Sequence, residues 1–232
     1  MAHYAADNPY LGALIGRYAN RIHRGLFTLD GTTHQVAVGD RGHALHGGPG
    51  GFHRRVWRAE PQPREDAAAL RLDLHSPDGD MGFPGALDVT ALYTLNRSGT
   101  LRLDFTACTD QATPVNLIHH AYFNLTGAGS GDVLSHFLAL DADAYLPVTA
   151  QAIPLGPAAP TAGTAFDFAE PRRIGERIAD ADAQLHDAGG YDHCWVLEEP
   201  TAQAGHNHSP IAAIRTVASK RTASLSNRVA TA

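Results

Sequence analysis

Period-two alternation of apolar and polar positions dominates the middle of the chain. Leu70, Leu72 and Leu74 alternate with Arg71 and Asp73. Leu87, Val89, Ala91, Tyr93 and Leu95 follow, and after Asn96-Arg97-Ser98-Gly99 the pattern resumes at Leu101, Leu103, Phe105 and Ala107. Successive side chains of a strand point to opposite faces, so each run predicts a strand with one buried face. The short polar turn at 96–99 predicts that the last two runs form an antiparallel hairpin. A second hairpin is expected where Leu26-Phe27-Thr28-Leu29 meets Asp30-Gly31 and continues from Thr32 to Val38, because glycine accepts the positive φ of a type I′ turn. Further strands are expected over 133–141, 144–148 and 193–198. Helical signal is thin: Ile174, Ile178 and Leu185 predict one short helix before Gly189-Gly190. Many short strands with few helices predict an all-β sandwich or barrel.

Composition narrows the class. The chain has 232 residues, 44% of them hydrophobic, which is enough to bury a core and too apolar for a disordered chain. Its 23 Gly and 14 Pro disfavour long helices and coiled coils. With 18 Lys+Arg against 24 Asp+Glu the net charge is −6, which gives no electrostatic footprint for nucleic acid or an anionic membrane. Cys108 and Cys194 stand alone, which excludes a disulfide framework and a Cys-type zinc site. No apolar run reads as a signal peptide or a membrane span, so a cytoplasmic location is expected. The segment 201–232 has no acidic residue, carries Arg215, Lys220, Arg221 and Arg228, and loses the alternation. It is expected to be a disordered end beside a folded region over 1–200.

Four clusters are candidates for chemistry. In Leu45-His46-Gly47-Gly48-Pro49-Gly50-Gly51 the glycines let backbone approach a ligand closely, or simply build a turn around an incidental histidine. In Ile118-His119-His120-Ala121-Tyr122 adjacent histidines on a strand face opposite ways, so only one lines a given pocket. Asp192 in Gly190-Tyr191-Asp192-His193 is either a turn cap or a carboxylate facing a pocket. Asn20-Arg21 supplies donors suited to hydroxyl groups, or a solvated polar pair. A metal site built from His43, His46 and His53, or from His206 and His208, is the competing chemistry, but HExxH is absent and no metal is expected.

Taken in order, these segments resemble the aldose 1-epimerase (galactose mutarotase) family. The resemblance rests on Asn8-Pro9-Tyr10, Gly16-Arg17-Tyr18-Ala19-Asn20-Arg21-Ile22, Phe27-Thr28-Leu29-Asp30-Gly31 and Leu45-His46-Gly47-Gly48 with Gly51-Phe52 and Trp57. It continues through Ser76-Pro77-Asp78-Gly79, Gly82-Phe83-Pro84-Gly85, Thr113-Pro114-Val115-Asn116-Leu117, and His120 with Tyr122-Phe123-Asn124-Leu125. Tyr145-Leu146-Pro147-Val148, Gly163-Thr164-Ala165-Phe166-Asp167 and Tyr191-Asp192-His193 complete the set, which covers about 7–198.

The resemblance implies a large antiparallel β-sandwich that interconverts the α and β anomers of free hexoses such as galactose and glucose, with a small-molecule sugar as its partner and no cofactor. It implies His120 as the general acid and His46 as the group that binds and polarises the sugar around its ring oxygen and anomeric hydroxyl. It also implies Asn20, Arg21, Tyr122 and Asp192 as substrate-binding residues. The family's general base is a glutamate whose spacing falls beyond Ala232; Glu198 and Glu199 come too soon after Asp192 to match it. Relative to the family the sandwich is therefore expected to be incomplete at both ends. Two alternatives follow: a non-catalytic sugar-binding β-sandwich, and an epimerase of a phosphorylated hexose, for which no basic cluster is evident.

Overall fold

The computed structural model describes residues 9–197 and two further strands, Arg215–Ala218 and Arg221–Ser224. The chain forms two compact units. Among the described residues, the first takes 9–94 and 103–123; the second takes 95–102, 124–197 and the two further strands. The units interleave in sequence, which is why no linker is legible between them.

The strands Arg58–Pro63, Ala67–Ser76, Leu87–Asn96 and Leu101–Thr109 make one sheet in that order, all but the 95–102 tip of its last hairpin belonging to the first unit. The alternation along Leu87–Asn96 is reproduced in burial: Leu87, Val89 and Ala91 are buried and Asp88 is exposed. Leu87 and Val89 pack with Phe52, Leu74 and Leu117, while Ala91 packs with Leu14 and Leu103. The expected hairpin pairs Leu26–Leu29 with Thr32–Gln35. Asp30 and Gly31 at its turn have φ of 48° and 77°, the two positive values of a type I′ turn.

Two short antiparallel pairings then bring distant segments together. Arg21–Ile22 pairs with Ala44–Leu45, setting Arg21 opposite Leu45. Ala13–Ile15 pairs with Ile118–His120, setting Ala13 opposite His120.

The buried Arg17 guanidinium holds this unit from within. It donates to the carbonyls of Ser76, Pro77, Pro84 and Gly85 and to the Ser76 hydroxyl, at 2.6–3.1 Å. Burial lowers its pKa from the ordinary value, against the opposing charges of Asp80, Asp78 and Asp110.

The glycine-rich turn is explained by packing of main chain on main chain. Gly47 has φ of 81°, and a Cβ there would collide with the Gly16 carbonyl. The Phe52 amide donates to that same carbonyl at 3.1 Å. The glycines thus serve a turn pressed against Gly16.

In the second unit, Phe137–Ala139 lies between Arg172–Arg173 and Arg215–Ala218, with Arg221–Ser224 outermost. Ala144–Leu146 lies between Ala159–Pro160 and Cys194–Val196. The core gathers Leu138, Leu140, Tyr145, Phe166, Phe168, Leu185 and Trp195, with Tyr145 stacked on Phe166 at 4.0 Å. The expected strands over 133–141, 144–148 and 193–198 are present in shorter form.

The helix expected to span Ile174 to Leu185 is corrected. Ile174–Glu176 is a single 3₁₀ turn, and the α-helix runs only over Ala183–Ala188. Asp182 stops it from starting sooner: its backbone is extended, and its side chain accepts from the Gln184 amide as an N-cap. Gly189, at φ 70°, ends it. Most of 201–232 lies outside the described residues, as do Glu198 and Glu199. Among the described residues, no helix is long and apolar enough to cross a membrane.

Candidate functional site

The first unit gathers four of the sequence-predicted residues, Asn20, Arg21, His120 and Tyr122, about one buried imidazole, that of His46. His46 follows directly on the strand paired with Arg21–Ile22, and it has a left-handed backbone, φ 53°. Asn20, at φ 64°, faces it, and the two residues bond reciprocally. The His46 amide donates to the Asn20 carbonyl at 3.0 Å, and the Asn20 amide donates to His46 Nδ1 at 3.0 Å.

That second bond fixes the tautomer. Nδ1 accepts, so the proton of the neutral ring sits on Nε2, which is a donor. Burial, then the charges of His120, Arg21 and His53, push the His46 pKa down to about 3, with Asp40 opposing. His46 is therefore a neutral hydrogen-bond donor at neutral pH.

His120 comes from the strand Ile118–His120, and its ring lies 5.2 Å from that of His46, edge to face. His119, its neighbour, turns the other way and packs edge-on against Tyr93 at 5.5 Å. The two histidines thus face opposite sides of the strand, as period-two geometry requires. Tyr122 places its ring 5.1 Å from His120, and its hydroxyl donates to the Pro9 carbonyl at 3.0 Å.

Arg21 donates through Nε to Asp40 Oδ2 at 2.7 Å, and Arg41 makes a second, longer contact with the same carboxylate. Burial raises the Asp40 pKa, but hydrogen bonds and charges from Arg21 and Arg41 outweigh it and leave the net shift downward.

Asp192 belongs to the second unit, where it is exposed and its charge acts on His193.

Three residues of the site were not singled out for it in the sequence. Asp40 is recognisable only once Arg21 is seen to reach it. Tyr10 entered only as part of a matching segment, and His53 only as a metal candidate. Tyr10 packs against His46, His53 and His120 with ring centroids 4.7, 4.8 and 5.6 Å away. Burial, then Arg54, lowers the His53 pKa.

A cavity of about 760 Å³ opens beside this cluster, lined by Tyr10, Gly39, Asp40, Gly48, His53 and Arg54 among others. That volume is in the range of small-molecule sites. Among the described residues, no three His, Cys, Asp or Glu side chains are grouped to hold a metal ion; His206 and His208 lie outside them. A neutral imidazole donor, a second imidazole beside it and an oriented guanidinium form a set that can bind hydroxyl groups and move a proton.

The chain is similar to known proteins both in sequence and in structure. The model of the aldose 1-epimerase family matches residues 1–226. Galactose mutarotase of Sus scrofa is 41% identical over 195 residues, which are 84% of this chain and 54% of that protein. Aldose 1-epimerase of Escherichia coli (strain K12) is 41% identical over 196 residues, 84% of this chain and 55% of that one. The chain spans about half the length of the curated relatives it matches.

Among solved structures, galactose 1-epimerase from Lactobacillus acidophilus NCFM superposes with a TM-score of 0.82 at 30% identity, covering 94% of this chain and 61% of that one. An aldose epimerase homologue from C. elegans gives 0.75 at 25% identity, covering 95% and 62%. The all-β, antiparallel sandwich class expected from the sequence is shown by these likenesses together with the strand pairings.

Proposed function

We propose that this chain, which belongs to the aldose 1-epimerase family, interconverts the α and β anomers of free aldohexoses such as galactose and glucose by opening and reclosing the sugar ring. The observation that carries this reading is the pairing of a neutral, tautomer-fixed His46 with a second imidazole, His120, 5.2 Å away. Ring opening requires a proton at the ring oxygen and loss of the proton from the anomeric hydroxyl. An imidazole ordinarily titrates near neutral pH, which suits His120 to deliver the first as general acid. His46 Nε2–H donates to an oxygen near the reacting centre and polarises it without exchanging its own proton.

His46 is not the base, because its Nδ1 is occupied by Asn20 and its ring stays neutral. The anomeric proton therefore leaves to another group, and a chain without a well-placed one loses about 10²–10⁴-fold in rate. Asn20, Arg21 and Tyr122 hold sugar hydroxyls in this scheme. A free, exposed Cys108 and a net charge of −6 support a cytoplasmic protein with no nucleic-acid partner.

The test is polarimetry on freshly dissolved α-D-galactose and α-D-glucose, with a His120→Ala control. Faster mutarotation that disappears in the control is the expected result. A folded chain that binds sugar without accelerating mutarotation would replace this reading with that of a sugar-binding sandwich.

A further inference from the structure

Tyr10 is the ring that joins the cavity to the histidines. It lines the cavity, as His53 does, whereas His46 and His120 do not. It also touches all three imidazoles, edge-on to His46 and His53 and tilted against His120. Its backbone is left-handed, φ 62°, which is uncommon for a bulky residue and has to be held by its surroundings.

The restraints are visible. The Ala13 amide donates to the Tyr10 carbonyl at 3.0 Å, the Gly12 amide donates to the His120 carbonyl at 2.9 Å, and the Tyr122 hydroxyl donates to the Pro9 carbonyl at 3.0 Å. Two of these three bonds fasten the turn that carries Tyr10 to the segment that carries His120.

We propose that Tyr10 is a positioning residue of the site. Its ring, latched by the bond from Tyr122 to Pro9, sets the mutual orientation of His46 and His120 at the margin of the cavity. Removing the ring opens a gap beside the two imidazoles, which then gain rotameric freedom and water. The latch gives Tyr122 a use of its hydroxyl distinct from binding sugar. The kinetic consequence rests on the sugar-site reading above; the effect on imidazole orientation does not.

Histidine-ring NMR on the whole chain tests this, comparing wild type with Tyr10→Phe, Tyr10→Leu and Tyr122→Phe. The groups acting on His46 are His120, Arg21, His53 and Asp40; none of the four is substituted in these variants. In wild type and Tyr10→Phe, His46 keeps one neutral signal between pH 5 and 8, with cross-peaks to His120. In Tyr10→Leu those cross-peaks weaken and His46 begins to titrate within that range. Tyr122→Phe moves the spectrum the same way by less.

Where the wild type turns over sugar, Tyr10→Leu lowers kcat by about 10-fold or more and KM by a smaller factor, because displacing a reacting group acts on the chemical step. Tyr10→Leu spectra identical to wild type would overturn the proposal. If Tyr10→Leu does not fold, Tyr122→Phe decides: unchanged Tyr10 contacts to His46 and His120 would overturn it. A wild type with ordered imidazoles and no mutarotation would sink the proposed activity while leaving the positioning role standing.

Discussion

The Asn20 amide donates to Nδ1 of His46 at 3.0 Å, so one ring nitrogen is spent on structure and the other is left for chemistry. Two isosteres separate these uses. Asparagine reproduces the Nδ1 acceptor and tolerates the left-handed backbone of position 46, while glutamine reproduces the Nε2 donor. His46→Asn is expected to keep near-native stability and lose sugar affinity. His46→Gln is expected to lose about 1–3 kcal/mol, the cost of leaving the part-buried Asn20 amide unpaired. Urea denaturation and sugar titration on both variants check this, and equal stability losses would contradict the assignment of Nδ1.

Stability should fall on the acid side of neutrality, and His46 should account for much of the fall. Its pKa drops from 6.5 to about 3 on folding, with burial as the first cause. The folded state therefore binds fewer protons than the unfolded one below pH 6.5. The sign follows: the contribution is complete above the unfolded value and is lost as pH falls toward 3. Between pH 6.5 and 5 the loss from this one group is about 2 kcal/mol, at 1.36 kcal/mol per pH unit. His53, His119 and His193, each lowered first by burial, add to it in the same direction. Denaturant midpoints measured at pH 7 and pH 5 should separate clearly for wild type and less for His46→Asn.

The glycine-rich turn gives a sharper test of packing. Gly47→Ala places a Cβ against the Gly16 carbonyl at a φ of 81°, so both sterics and backbone oppose it. A loss of about 2 kcal/mol or more is expected, or no folded protein, since overpacking alone costs about 1–3 kcal/mol. Gly31→Asn is the matched control: φ is 77° there, but nothing lies within 4 Å and asparagine accepts that region. Thermal melts of the two variants should diverge.

The sequence carried the strands further than the site. Alternation at Leu87, Val89 and Ala91 is a local signal, and burial follows it residue by residue. The Asp30-Gly31 turn is equally local. His119 and His120 could be separated by strand geometry alone, but which of them mattered came from the resemblance. The contacts that build the site are not local. Arg21 finds Asp40 19 residues away, Tyr122 reaches Pro9 across 113, and Arg17 collects carbonyls 59 to 68 residues distant. No periodicity encodes such pairs, because they depend on how short strands such as Arg21–Ile22 and Ala44–Leu45 come into register. Of the two readings of the glycines around His46, the structure shows the turn, and its partner is not local either: Gly47 presses on Gly16, more than 30 residues upstream.

The bond from Arg21 to Asp40 offers the most direct probe of sugar binding that leaves the imidazoles alone. Asp40 accepts from Arg21 Nε at 2.7 Å, with both side chains partly exposed, so the pair adds only about 0–1 kcal/mol to stability. Its value lies in direction, because a guanidinium held at Nε presents its remaining N–H groups in a fixed plane. Asp40→Asn keeps the shape and removes the charge that holds Arg21. Stability should change by less than about 1 kcal/mol. Sugar affinity, read by calorimetry, should weaken by about 10-fold if Arg21 holds a hydroxyl, and Arg21→Ala should weaken it at least as much. The double variant should be no worse than Arg21→Ala alone, because the two residues act through one contact. Unchanged affinity in all three would remove Arg21 from the sugar site and leave the Arg21–Asp40 pair as a clasp between the strand Arg21–Ile22 and the turn that carries Asp40.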